Sequence, residues 1–268
     1  MWSRRDTIIS TITLLLTASM QSRGNSQTLP IASILAPTGK LRAAVIASNP
    51  VLITLRRDGT LGGVSIALAE ALAAYLSVPV EFRPYDNPKE YDESLASDIW
   101  DIGLAARDPS RAEYLAFSET FMEVANGYVA RPGATLERAE DVDQAGIKIA
   151  VAIGSAPHSV LQRLIKNAEI VPLAGGFEPA LEALAMGKAD VYGDNLHLAY
   201  LVADTLPGAR VLPGHFNVVQ MAIGVRKRAV AVLPVIDAFV NQIRADGTVQ
   251  KAINEVGLRG VQLPQQRS

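Results

Sequence analysis

What most constrains this chain is an alternation of short β-type runs with longer helix-type segments that runs once and then starts again. The first pass opens with an apolar run of strand length at Leu41–Ala47. After the turn Arg57-Asp58-Gly59-Thr60, residues Ser65, Leu68, Ala69, Leu72 and Leu76 recur at helical spacing and predict an amphipathic helix over Val64–Ser77. A strand at Pro79–Arg83, a helix at Lys89–Ser97 and a strand at Asp101–Ala105 follow. The second pass predicts strands at Ile147–Ile153, Glu169–Leu173 and Ala189–Gly193, with helices at Ala156–Lys166 and Glu178–Gly187 between them. Strands that take turns with helices imply mainly parallel sheets, so the expected class is α/β. The order helix, turn, strand, polar loop over 89–107 is repeated over 178–195, which implies two similar lobes.

The tail from Gln220 to Gln262 carries one more strand, Met221–Arg226, and helices around Val232–Arg244 and Val249–Val256, broken at Asp246-Gly247. A chain that crosses near Val129 and returns near Val219 lets this tail complete the first lobe, and two such crossings make a hinge. The expected layout is a leader over 1–26, a linker over 27–40, a first lobe from 41–128 plus 221–268, and a second lobe over 129–220.

Composition narrows the function. Residues are 49% apolar and 19% charged over a length of 268, enough for one large core or two modest ones. Basic and acidic residues number 25 and 27 and form no blocks, which argues against a nucleic-acid or acidic-membrane partner. With no cysteine, the chain has no disulfide, thiolate metal site, thiol nucleophile or cysteine-linked lipid. Arg4 and Arg5 precede an apolar stretch, Ile8–Ala18, too short to span a bilayer, and a polar run, Gln21–Thr28, follows. That is the pattern of an export signal, so a periplasmic location is expected. Gly24-Asn25-Ser26 is the best cleavage candidate, and Ser3-Arg4-Arg5-Asp6 resembles a twin-arginine motif with Thr7 in place of its large apolar residue. No Gly-x-Ser-x-Gly elbow, phosphate loop or dinucleotide fingerprint occurs, and no cofactor is expected.

Several short stretches, in order and spacing, carry a family resemblance: Asp101-Ile102-Gly103-Leu104, Asp108-Pro109-Ser110-Arg111, Phe117-Ser118, Ile153-Gly154-Ser155, Gly187-Lys188-Ala189-Asp190 leading to Asp194, Gly224-Val225-Arg226-Lys227, and Asp246-Gly247-Thr248. Together they resemble the extracellular solute-binding proteins, family 3, that serve polar amino-acid ABC transporters. The resemblance implies a type II periplasmic-binding-protein fold, two lobes on a two-strand hinge, and a monomer that delivers its ligand to an inner-membrane ABC permease. It implies that Arg111 grips the ligand's carboxylate, for which a guanidinium fork is well shaped. It also implies that Asp194 accepts the ligand's ammonium and that Ser155 and the backbone at Ala156 meet it from the second lobe. At Arg111 the other reading is a surface pair with Glu113 or Glu119. Ser155 would in any case suit a helix cap, and Asp194 could cap a helix from Asn195 onward. Leu104, Ala106 and Asn49 complete the expected ligand-binding set, with Arg107 and Asp108 as further polar contacts.

The departures from the family pattern fall in the first lobe. Ile46 and Asn49 stand where relatives place an acidic residue and an aromatic, and Leu52 replaces a common Phe. Gly63-Val64-Ser65 replaces Gly-Phe-Asp, and Ala106 replaces a hydroxyl residue. An α-amino group would be held less well, so a small organic acid competes with an amino acid as ligand. Two other roles use the same scaffold. One is an enzyme similar to cyclohexadienyl dehydratase, with Glu119, Glu123, Asp194, His158, His197 or His215 as acid; the histidines lack metal-ligand spacing. The other is a sensor whose closed form is reported to a receptor.

Overall fold

The computed structural model describes residues 31–265, so the expected leader lies outside the described residues. Along the chain the elements are α1 Ile31–Leu35, β1 Leu41–Ile46, β2 Thr54–Leu55, β3 Leu61–Gly62, α2 Val64–Tyr75, β4 Val80–Tyr85, α3 Pro88–Glu93 and β5 Ile102–Ala106. Next come β6 Leu115–Ala130, β7 Lys148–Ala152, α4 Ala156–Leu164, β8 Glu169–Leu173, α5 Phe177–Ala185, β9 Val191–Asn195 and α6 Leu196–Thr205. The chain closes with β10 Arg210–Val211, β11 Asn217–Arg226, α7 Leu233–Ala245, α8 Thr248–Val256 and β12 Val261–Gln262. The expected α/β class is what the structure has. The segment read as a linker differs: it contains α1, whose Leu35 is buried in the core.

Local chemistry explains the boundaries. Gly63 precedes α2 at φ 97, where a Cβ would lie 2.6 Å from the Leu52 carbonyl, so only glycine fits that turn. Asn87 caps α3 by accepting from Glu90 N–H at 3.0 Å, and Pro88 fills the first turn, where its missing N–H costs nothing.

One hydrogen-bonded sheet runs through the molecule in the order β4-β1-β5-β11-β6-β9-β7-β8. The pairs β1·β4, β1·β5, β7·β8 and β7·β9 are parallel. The antiparallel pairs β5·β11, β11·β6 and β6·β9 join the two parallel sets. Strand β6 spans 16 residues and β11 spans 10, and these two long strands connect the halves.

The buried apolar clusters separate along the same line. One gathers β1, α2, β5, the first part of β6, β11, α7 and α8, around Leu68, Leu72, Phe121, Ile223 and Val240. A smaller cluster beside it holds Tyr91, Leu95, Trp100 and Leu115. Two others gather residues between Tyr128 and Phe216, around Val151, Leu161, Tyr192 and Val202. Tyr128, placed by sequence with the first lobe, packs in the second set, and Val219 packs against the first.

The internal duplication extends to side chains. Asp101 accepts from the backbone N–H and Nε of Arg42 at 2.9 and 3.0 Å, while its own N–H donates to the Arg42 carbonyl at 2.8 Å. Asp190 accepts from the Lys148 N–H and the Arg131 Nε, both at 3.0 Å, and its N–H donates to the Lys148 carbonyl at 2.9 Å. In each half an aspartate entering one parallel strand thus locks the first residues of its neighbour.

Candidate ligand-binding cleft

A cleft of about 330 Å³ lies where the two halves face each other. Ile46 at the end of β1, with Asn49 and Val51 from the loop after it, line it together with Asp92 of α3. Ala106, Asp108, Ser110 and Arg111, from the end of β5 and the turn after it, complete that side. The opposite side is the start of α4, Gly154 to Pro157, with Asp194 and Asn195 at the end of β9. Val124 and Asn126 of β6 and Val219 and Met221 of β11 also contribute. This places residues at the carboxyl ends of parallel strands, where α/β sheets characteristically bind ligands.

Arg111 is 8% exposed. It pairs with neither Glu113 nor Glu119. Its Nε donates to Asp92 at 2.7 Å, its Nη1 donates to the Ala106 carbonyl at 3.2 Å, and its guanidinium carbon lies 5.1 Å from the Tyr91 ring centroid. With Nε committed, the Nη edge keeps N–H donors for a bidentate acid.

Asp194 is 7% exposed and comes in from the far side. It accepts from the Tyr192 hydroxyl, from Asn195 N–H at 2.6 Å and from Asn195 Nδ2 at 2.9 Å. The α6 cap is Asn195, whose Oδ1 accepts from Leu198 N–H at 2.9 Å, so Asp194 does not serve that purpose. Burial pushes the Asp194 carboxyl above the usual aspartate range, against the lowering effect of its three donors.

Ser155 caps α4, accepting from His158 N–H at 3.1 Å. The helix start therefore offers few free backbone donors. Pro157 has no N–H and the Ser155 hydroxyl takes that of His158, which leaves Ala156 N–H as the first-turn donor. Asn49 Oδ1 accepts from Val51 N–H at 3.1 Å and so shapes the loop it lines. Asp108 Oδ1 accepts from Ser110 N–H at 2.8 Å and from the Ser110 hydroxyl, a pair that holds its carboxyl below the usual range.

Two expected contacts are elsewhere. Leu104 is fully buried, opposite Ile223 on β11, in the first apolar cluster, because its position on β5 faces the core. Arg107 lines a different groove of about 1020 Å³, with Glu119, Glu123 and Arg244. That groove takes two of the acids considered for catalysis away from the cleft. The histidines lie outside the cleft lining as well: His158 Nδ1 accepts from Gly154 N–H at 3.2 Å, His197 Nδ1 from Arg259 N–H at 3.4 Å, and His215 is on an exposed loop.

Sequence reading missed Asn126 and Asp92. Asn126 is 2% exposed, lines the cleft from β6, and its Nδ2 has no hydrogen-bond partner. The cleft therefore holds three carboxyls, Asp92, Asp108 and Asp194, against one guanidinium, Arg111, with Asp92 already paired.

The family model for bacterial extracellular solute-binding proteins, family 3, matches residues 41–257. No curated protein sequence matches the chain. Among solved structures, the ancestral amino acid-binding protein AncCDT-1, a precursor of cyclohexadienyl dehydratase, is 22% identical, with a TM-score of 0.66, and the match covers 84% of this chain and 98% of that one. An ancestral arginine-binding protein bound to glutamine is 25% identical, with a TM-score of 0.63 and coverage of 81% and 97%. An amino acid ABC transporter substrate-binding protein from Streptococcus pneumoniae, bound to L-arginine, is 21% identical, with a TM-score of 0.65 and coverage of 87% and 100%.

Proposed function

This chain belongs to family 3 of the bacterial extracellular solute-binding proteins, and from that premise we propose that it captures a small amino acid outside the cytoplasmic membrane and presents it to an ABC permease. The observation that carries the reading is the placing of Arg111 and Asp194 on opposite sides of one cleft. A carboxylate fits the Nη edge of Arg111, an ammonium fits Asp194, and Ala156 N–H offers the carboxylate a donor from the second side. A ligand gripped from both sides favours a closed form, because its affinity differs between the open and closed states. The two lobes in this proposal meet where β6 and β11 pass between the apolar clusters, near Asn126 and Asn217.

The charge balance of the cleft favours an amine-bearing ligand over a simple organic acid. An ammonium beside Asp194 offsets the cost that burial places on its charged form. Relatives bound to arginine and glutamine support an amino acid whose side chain is polar. Asn126 offers such a side chain an unpaired donor.

A second reading is supported by two observations: a carboxyl buried in the cleft, whose charged form burial disfavours, suits an acid catalyst of dehydration, and one similar structure is a precursor of cyclohexadienyl dehydratase. A thermal-shift titration with L-arginine, L-lysine, L-glutamine, succinate and prephenate, followed by mass analysis of each recovered compound, separates the two. Binding raises the melting temperature as the logarithm of ligand concentration. Stabilisation by an amino acid recovered intact supports capture; response to succinate alone refutes the amine site, and conversion of prephenate replaces capture with catalysis. Arg111→Ala is expected to abolish the amino-acid response, and Arg111→Lys to recover little of it, since lysine keeps the charge and loses the fork.

A further inference from the structure

Behind Arg111, cations and aromatic rings meet in series. The Arg111 guanidinium carbon is 5.1 Å from the Tyr91 centroid, the Tyr91 and Trp100 rings stack at 5.7 Å with planes 19° apart, and the Arg226 guanidinium carbon is 3.7 Å from the Trp100 ring. The rings are pinned. Trp100 Nε1 donates to the Ser94 hydroxyl at 2.8 Å, and that hydroxyl donates to the Tyr91 carbonyl at 2.7 Å. Tyr85 meets Tyr91 edge-on at 5.9 Å, and a Cβ on Gly103 would run into the Tyr91 hydroxyl.

Packing alone does not account for what is buried here. Arg226 makes no ion pair among the described residues; only its Nη1 finds an acceptor, the Leu95 carbonyl, and its Nε and Nη2 have none. The Tyr91 hydroxyl is also buried without a partner. Unpaired buried polar groups are unfavourable, and a core built for stability alone would replace both with apolar groups of the same shape.

We propose that Tyr91 and Trp100 are positioning residues for carboxylate capture, holding the plane of Arg111 through the ring stack that Arg226 closes from behind. The inference rests on Arg111 as the carboxylate anchor. The negative face of Tyr91 attracts the flat cation, Asp92 fixes its Nε edge, and the Nη edge is left toward the cleft. An arginine fixed in this way loses little freedom when a carboxylate arrives, which is the gain of pre-organisation. The tyrosine ring does this work; its hydroxyl does not.

Trp2 and Trp100 are the two tryptophans, so the full chain carrying Trp2→Phe reports Trp100 emission alone. In that background Arg111→Met and Tyr91→Leu are expected to change the emission, and Tyr91→Phe to leave it near the parent value. Affinity is then measured for L-arginine, L-glutamine and agmatine, which lacks the carboxylate. Tyr91→Leu should weaken the two amino acids by about tenfold and spare agmatine, with Tyr91→Phe binding as the parent does. Arg226→Met, which removes an unpaired buried charge and should fold at least as well, is expected to weaken the amino acids in the same selective way. Equal loss for agmatine would mean a structural role only, and parent-like amino-acid binding in both Tyr91→Leu and Arg226→Met would overturn the proposal. If the parent protein binds none of the three probes, the carboxylate-anchor reading fails, and the emission of Arg111→Met still decides the stack: no change refutes it.

Discussion

Asp194 shows at the scale of one residue how a binding cleft trades stability for binding. Its carboxyl titrates above the ordinary value of about 4 because it is buried. A folded-state pKa above the unfolded one means that the native state binds more protons in the window between the two, so stability falls as pH rises through it. Below the unfolded value the penalty is absent, and above the folded value it is complete. Asp194→Asn lacks this titration. Its stability relative to the parent, read from urea midpoints at a series of pH values, should therefore increase from pH 4 upward and then level off; a constant difference would show that Asp194 is not perturbed. The same variant should lose most of its affinity for amino acids while keeping that for a desamino analogue. Arg111, in the turn after β5, and Asp194, at the end of β9, were legible in the sequence because each falls within a recognisable motif. Asn126 was not, because β6 is buried on both faces near the crossing, and alternation along it does not tell a cleft position from a core position. The Asp92 pairing was hidden for another reason: it joins residues 19 apart, one on a helix and one in a turn.

Among the elements, β6 is the one whose start the sequence does not mark, and Ser118 explains why. Thr120 opposes Ala222 and Phe117 opposes Gly224, so Ser118 and Glu119 together face Ile223 in a β-bulge. The Ile223 N–H, which the bulge leaves without a backbone acceptor, donates to the Ser118 hydroxyl at 3.0 Å, and that hydroxyl donates to the Glu119 carbonyl at 2.7 Å. Glu119 N–H donates to Asp237 of α7 at 2.7 Å, which ties the bulge to the helix over it. The Phe117-Ser118 pair thus has a structural cause independent of ligand. Ser118→Ala would orphan a fully buried N–H and is expected to destabilise the fold by about 1–3 kcal/mol by urea titration, with ligand specificity unchanged. The helices and parallel strands were legible to within a few residues, since each buries an apolar face with its own period. The first residues of β6 were not, because a bulge and interspersed polar residues break the alternation that marks a strand. The helix expected from Asn195 onward is α6, but its cap is Asn195 itself and not Asp194, because the cap abuts the end of β9 without a turn.

At the scale of the molecule, β6 and β11 connect the two halves of the sheet, and the C-terminal turn adds a third link. The turn after α8 brings Arg259 over the Tyr200 ring at 4.7 Å and onto Asp204, with Nη1 and Nη2 each on one carboxylate oxygen. Arg259 N–H donates to His197, and the Gly260 carbonyl accepts from Ala125 N–H at 3.1 Å. Gly260 has φ +69, and a Cβ there would run into Leu196. The C-terminal turn, packed with the first apolar cluster through Leu258 and Val261, therefore also grips α6, which belongs to the second set. An exposed pair of this kind adds little to overall stability, but it can bias two states that differ in the angle between lobes. If the proposed hinge closes on ligand, X-ray scattering should record a smaller radius of gyration when an amino acid saturates the parent protein. If the Arg259–Asp204 contact belongs to the open form of the proposed hinge, breaking it favours closure. Arg259→Ala is thus expected to keep the parent's melting temperature, to be more compact without ligand, and to bind more tightly, with high salt reproducing part of the effect on the parent by screening the pair. A radius that does not respond to ligand would count against hinge closure itself. A parent-like response in Arg259→Ala would show instead that the C-terminal turn moves with both lobes and leaves the motion to β6 and β11.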